Sequence, residues 1–287
     1  MWTEIDTHIT NITGDKFNSI QRRSVSGGCI NQGYAISNGK KSFFVKINQA
    51  SQITMFEAEI LGLKQIFATN TIKVPQPICS GIEGNACYLV LEWLQLGGGG
   101  SKCWQHLGKD LAALHQVNCG EKFGWDINNT IGSTPQINTW CDNWIEFYTT
   151  RRLEYQFKLC RIKGASFPQA QELLAAIPQL LDGHQVKPSL VHGDLWGGNA
   201  GCTVDGMPVI YDPATYIGDR EVDIAMTELF GGFPSAFYQG YQQVYPLDTG
   251  YEKRKILYNL YHILNHFNLF GGSYQSQANG MISQLLN

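Results

Sequence analysis

Apolar side chains fall at every second position through Phe43, Val45 and Ile47, and this alternation predicts a strand over residues 41–47. The period lengthens toward 3.6 in residues 54–67, where Phe56, Ile60, Leu63 and Phe67 share one face and predict a helix carrying Glu57 and Glu59. A weaker helical stripe (Ile5, Ile9, Ile12, Phe17, Ile20) covers the first twenty residues. Residues 86–91 form an apolar run that reads as a strand, and the extended connector Val74-Pro75-Gln76-Pro77 precedes it. Further helices are predicted over 107–115, 139–159, 170–181 and 253–270, and one more starts with Asp223 as its N-cap. In the second of these, Trp140, Trp144, Phe147 and Tyr148 read as core. Four consecutive glycines, Gly97 to Gly100, interrupt regular structure. They mark a boundary between two lobes, residues 1–94 and 95–287.

The chemistry concentrates in Leu190-Val191-His192-Gly193-Asp194-Leu195-Trp196-Gly197-Gly198-Asn199, a short strand running into a polar loop. Asp194 and Asn199 stand five positions apart, the spacing of the H-x-D-x-x-x-x-N loop of phosphotransferases. Asp205-Gly206 lies between two apolar runs and predicts a hairpin. That hairpin folds Asp212 back beside Asn199, so two oxygen ligands come from its two ends. In the strand Phe44-Val45-Lys46-Ile47 the ammonium of Lys46 needs a counter-charge, and the helix that follows offers Glu59. The segment from Val25 to Tyr34 is glycine-rich at Gly27 and Gly28, carries Cys29, and suits a hairpin whose amides cover phosphates. Glu92-Trp93-Leu94 offers backbone groups to an adenine ring at the lobe boundary. Trp196, two residues after Asp194, is expected to wall the acceptor site, with Trp140, Trp144 and Phe233 as alternatives. His115 reads as a bonded core histidine, and His262 and His266 read as packing residues.

Composition narrows the class. The chain has 287 residues, 43% of them hydrophobic, with a net charge of -3 and no basic cluster, which argues against a nucleic-acid partner. Neither a signal peptide nor an apolar run of membrane-spanning length is visible, so a cytoplasmic location is expected, with no membrane contact. The eight cysteines show no C-x-x-C pairing, and reduced thiols are expected.

The order of these parts resembles the protein-kinase-like superfamily, in the small-molecule branch of aminoglycoside phosphotransferases and choline kinases. More closely, the chain resembles the fructosamine kinase (ketosamine-3-kinase) family over nearly its whole length. Phe44-Val45-Lys46, Met55-Phe56-Glu57-Ala58-Glu59, the 190–199 loop, Ile210-Tyr211-Asp212-Pro213-Ala214 and Phe230-Gly231-Gly232-Phe233-Pro234 carry the likeness. The resemblance implies an α+β bilobal fold: a small N-lobe of antiparallel sheet plus helix, and a larger, mostly helical C-lobe. It implies ATP and Mg2+ as cofactors, and phosphorylation of sugar–amine adducts, free or on protein lysines, at the sugar 3-hydroxyl. Asp194 would accept the proton, and Asn199 and Asp212 would hold the metal. Gly28, Cys29, Lys46, Glu59, Glu92, Trp93 and Leu94 would bind the nucleotide, and Trp196 the substrate. A redox-dependent homodimer through Cys29 is a further expectation drawn from the resemblance. Two other readings stand beside it, an aminoglycoside- or choline-type kinase and a nucleotide-binding pseudokinase. No dense acidic cluster follows Asp212 to receive a polycation, and Lys46, Asp194, Asn199 and Asp212 are all present, which argues against a pseudokinase.

Overall fold

A computed structural model of the chain describes residues 1–25 and 30–287. The first elements are α1 (Trp2–Thr13), β1 (Gln21–Val25), β2 (Gln32–Ser37), β3 (Ser42–Gln49), α2 (Ile53–Ala68), β4 (Pro77–Glu83) and β5 (Ala86–Glu92). The strands form one antiparallel sheet in the order β1-β2-β3-β5-β4. The alternation in β3 decides which groups face which way. Phe43, Val45 and Ile47 pack against Ile5, Ile9 and Phe17 beneath α1. Lys46 is thereby turned to the opposite face, where α2 supplies Glu59. Strand β4 lacks clean alternation and is identified only by its pairing with β5.

Next come β6 (Leu96–Gly97), α3 (Ser101–His115), β7 (Asn129–Ile131), β8 (Thr134–Gln136) and α4 (Trp144–Phe147). A π-helical turn, Tyr148–Glu154, leads into α5 (Tyr155–Ile162), followed by α6 (Ala170–Leu180) and β9 (Pro188–Val191). The chain then forms β10 (Ala200–Thr203), β11 (Pro208–Ile210), β12 (Tyr216–Asp219), α7 (Glu221–Leu229), α8 (Ser235–Val244), α9 (Tyr251–Phe270) and α10 (Tyr274–Leu286). The Asp205-Gly206 hairpin forms as expected: β10 pairs with β11, Ala200 opposite Ile210.

Four sequence expectations are corrected. The helix read over 139–159 begins only at Trp144, because Asn143 accepts the Glu146 N–H at 3.0 Å and caps it there. Residues just before it pair with Phe123 instead, and Trp140 is left 41% exposed. The glycine run is not wholly irregular, since Leu96–Gly97 pairs with Thr203 and Cys202 of β10. That pairing brings the first turn of α3 onto β10, and Cys103 and Cys202, with Cα atoms 6.4 Å apart, form a disulfide. Their separation of 99 residues hid them from any reading of spacing, so the expectation of eight reduced thiols fails. Asp223, finally, is not an N-cap: it lies inside α7, after Glu221 and Val222.

The start of α7 is held by a buried charge cluster. His184 Nε2 donates to Asp219 Oδ2 at 2.6 Å, and Tyr258 bonds the same oxygen at 2.5 Å. Arg254 grips both oxygens of Glu221 at 2.7 and 2.8 Å. Burial opposes the charged imidazole of His184, but the hydrogen bond and charge of Asp219 outweigh it and hold its pKa above the ordinary value. A raised value means the stabilisation is full below the unfolded pKa of about 6.5 and is lost as pH rises through the folded one. The Tm of the wild-type chain should therefore fall more steeply than that of His184→Gln as pH rises above about 6.5. Parallel curves would show that the clamp carries no proton-linked stability.

Candidate active site

A cavity of about 950 Å³ opens between the five-stranded sheet and the β10–β11 hairpin, with Lys46, Glu59, Glu92, Asp194, Asn199 and Asp212 among its lining. Strand β9 delivers His192 to the floor, and the loop beyond it turns at Gly193, whose φ of +80° suits glycine. A Cβ there would lie 2.2 Å from the carbonyl oxygen of Ala214. The loop therefore sits directly on the segment that carries Asp212. His192 staples the two: Nε2–H donates to the Tyr211 carbonyl at 3.0 Å, and Nδ1 accepts the Asp194 N–H at 3.2 Å. Burial depresses the His192 pKa and keeps this ring neutral, as that bonding requires.

Asp223 anchors the loop from below. Its carboxylate accepts the backbone N–H groups of His192 at 2.7 Å and Gly193 at 2.8 Å, and His115 Nε2 at 3.1 Å. Burial works against its charge, and these donors outweigh it, holding the carboxyl below its usual range. His115 is thus the bonded core histidine that was expected, but its partner was not foreseen. No sequence spacing connects residues 108 apart.

Asp194 shares the cavity floor with Asn199, whose Nδ2 donates to the Asp194 carbonyl at 2.8 Å and its Oδ2 at 3.2 Å. Burial and the Asp212 charge push the Asp194 carboxyl up to about 7. Across the cavity, Lys46 Nζ contacts Glu59 at 2.7 and 2.9 Å and Asp212 Oδ1 at 2.6 Å. One ammonium serves two carboxylates. Burial pushes Glu59 up to about 7 against the pull of Lys46, whereas Lys46 holds the half-exposed Asp212 below its usual range. Asp212 adopts φ +61°, a left-handed conformation uncommon outside glycine.

The remaining sequence-selected residues fall in two groups. Glu92, Trp93 and Leu94 line the same cavity, and Arg23 stacks over the Trp93 ring at 5.1 Å. Trp196 lines it too, 36% exposed, with its ring lying over Gly198, where a Cβ would come within 2.3 Å. Trp144 and Phe233 are buried in the core and cannot wall an acceptor site. Gly28 and Cys29, and with Cys29 the expected redox-dependent dimer, lie outside the described residues. His262 is buried as expected, but its neighbour one turn on, His266, faces the cavity beside Asn129 and Phe230.

The oxygen donors suit a hard cation. The amide oxygen of Asn199 takes no hydrogen bond from the described residues, Asp212 has one oxygen beyond its Lys46 contact, and negative charge is in excess.

A strand lysine paired to a helix glutamate, facing an Asp–Asn loop and a hairpin carboxylate across a cleft, is the plan of the protein-kinase-like phosphotransferases. The aminoglycoside phosphotransferase APH(4)-Ia shares this fold, with a TM-score of 0.63 at 14% identity, covering 98% of each chain. Within that class the chain belongs to the fructosamine kinase family, whose model matches residues 1–287. It is 55% identical over 99% of its length to a probable ketoamine kinase of Synechocystis, covering 97% of that protein. It is 43% identical to a chloroplastic protein-ribulosamine 3-kinase of Arabidopsis thaliana, over 92% of this chain and 82% of that one. A crystal structure described as that of a putative fructosamine-3-kinase from Haemophilus somnus superposes with a TM-score of 0.93 at 33% identity, covering 100% of this chain and 98% of that one. The chain is a phosphotransferase.

Replacing Asp223 by Ala strands two buried N–H groups and one imidazole, and should cost roughly 2–4 kcal/mol of stability in denaturant unfolding. A loss below about 0.5 kcal/mol would mean that the loop is held by something else.

Proposed function

We propose that this chain transfers the γ-phosphoryl group of ATP to the 3-hydroxyl of ketosamines, on free amines or on protein lysines. The observation that carries the reading is the Asp194–Asn199 loop held opposite the Lys46–Asp212 contact across one cavity. The names of the ketoamine and ribulosamine kinases to which the chain is similar support the acceptor class.

In this reading residues 1–94 form the nucleotide lobe and residues 95–287 the acceptor lobe. Backbone groups of Glu92, Trp93 and Leu94 take the adenine, and Gly28 and Cys29 belong to the same nucleotide-binding set. Lys46, oriented by Glu59, holds phosphate oxygens. Asn199 and Asp212 hold magnesium, which when bound neutralises charge on the phosphates. Asp194 orients the acceptor hydroxyl and takes its proton as the oxygen attacks. Trp196 offers an indole face to the protonated secondary amine of the ketosamine. Carbon 3 is adjacent to the carbon 2 ketone. Loss of a carbon 1 proton to water gives the enaminol across carbons 1 and 2, whose nitrogen lone pair then expels the carbon 3 phosphate as inorganic phosphate. Hydrolysis of the resulting carbon 1–nitrogen double bond frees the amine, a repair role. A cytosolic location, where ATP is at hand, belongs to the same proposal.

Asp194→Asn should lower kcat for ketosamine phosphorylation by about 10²- to 10⁴-fold while ATP still binds, since an amide accepts no proton. Turnover near that of the wild type would remove Asp194 from this role. Trp196→Ala should raise KM for ketosamine roughly two- to thirtyfold, with KM for ATP and the Tm nearly unchanged. A large drop in Tm with both KM values shifted would make Trp196 a packing residue.

A further inference from the structure

A chain of buried side chains runs under the acceptor end of the cavity, and its hydrogen bonds can point only one way. At its foot Arg152 is fully buried, in the π-helical turn between α4 and α5. No carboxylate among the described residues pairs with it. Its guanidinium lies 4.1 Å from the Tyr216 ring centre and 4.6 Å from that of Phe147. Its terminal nitrogens donate to the Ile137 carbonyl at 2.6 Å and to Asn138 Oδ1 at 2.8 Å.

A guanidinium has donors only, so Asn138 must turn its oxygen toward Arg152 and its nitrogen away. Asn138 Nδ2 accordingly donates to Asn129 Oδ1 at 2.8 Å. Gln136 arrives with the same sense: its oxygen accepts from Tyr261 at 2.7 Å, and its Nε2 donates to Asn129 Oδ1 at 2.8 Å. With two donors on its oxygen, Asn129 can present only its nitrogen on the other side. One Nδ2 hydrogen goes to the Thr215 carbonyl at 2.9 Å. The second finds no acceptor among the described residues, and Asn129 lines the cavity together with Asp194, Asp212 and Trp196.

We propose that Asn129 donates this remaining N–H to a hydroxyl oxygen of the acceptor sugar, and that Arg152 is a positioning residue that fixes the polarity of the relay together with the Thr215, Ala214 and Ile127 carbonyls. Asn138 Nδ2 also donates to the Ile127 carbonyl and Gln136 Nε2 to the Ala214 carbonyl, each at 3.1 Å. A donor-only group at the foot and acceptor-only carbonyls along the relay thus hold each amide in one orientation and keep an oxygen from facing the sugar, where it would repel the accepting lone pairs. The inference rests on the ketosamine kinase reading, because that reading puts a polyhydroxylated acceptor beside Asp194. It adds a residue that selects among sugars by the position of one hydroxyl.

The test uses the full-length chain, ATP and a set of ketosamines that each lack one hydroxyl. Asn129→Ala should raise KM for the complete ketosamine roughly three- to tenfold, with KM for ATP unmoved. For the one acceptor lacking the contacted hydroxyl, wild type and Asn129→Ala should converge. Arg152→Lys, which keeps a donor-only cation, should retain this hydroxyl preference, and Arg152→Gln should weaken it. If Arg152 variants fail to fold, Asn129→Asp decides: it keeps the oxygen that Gln136 and Asn138 need but has no N–H, and should lose the same preference. Equal penalties on every acceptor for Asn129→Ala and Asn129→Asp would overturn the inference while leaving the kinase reading intact. A wild-type chain that phosphorylates no ketosamine would overturn the reading beneath it.

Discussion

The site depends on one buried carboxylate. Asp223 sits at the first turn of α7 and accepts the two consecutive backbone N–H groups of His192 and Gly193 as well as His115. Those amides lead into a turn packed so closely on Ala214 that a Cβ at Gly193 would not fit, and both bond the Asp223 carboxylate. Burying a carboxylate is costly unless its lone pairs are filled, and here the loop itself fills them. The loop and the carboxylate thus satisfy each other, and the position of Asp194 follows from their bond. The Asp219, Glu221 and His184 cluster at the start of α7 secures the helix that carries the anchor.

The second constraint is charge. Asp194, Asp212 and Glu59 converge on a cavity whose nearest cation is a single lysine, shared between two of them. Burial first, with the Asp212 charge added to it, raises the pKa values of Asp194 and Glu59 together. An arrangement of this kind is unfavourable as a resting core and suitable as a receptor for cationic charge arriving with a nucleotide. The neutral His192 fits the same logic, since it ties two acidic segments together without adding to or relieving their charge.

Much of this was legible in the sequence because it is carried by short-range signals. Alternation in 41–47 turned Lys46 away from Val45, helical spacing in 54–67 set Glu59 on the following helix, and Asp205-Gly206 closed the hairpin between Asn199 and Asp212. What was not legible depends on long-range pairing. Asp223 reads as an ordinary helix cap until β9 is placed over it. Cys103 meets Cys202 only because β6 pairs with β10. Asn129 lies in a three-residue strand with no pattern of its own, and its orientation is imposed by the Thr215 carbonyl, by Gln136 and by Arg152 through Asn138. His266 shares a helix face pattern with core residues, and only the position of α9 against the cavity separates it from His262.

The central claim is that this cavity moves phosphate to one hydroxyl of a ketosamine. The most direct measurement is to incubate the wild-type chain with ATP, Mg2+ and fructosyl-lysine and to locate the phosphate in the product by phosphorus–proton correlation NMR. Phosphorus coupled to the proton on carbon 3 is the predicted result. Phosphate on another carbon, or no transfer to fructosyl-lysine alongside turnover of choline or an aminoglycoside, would contradict the account.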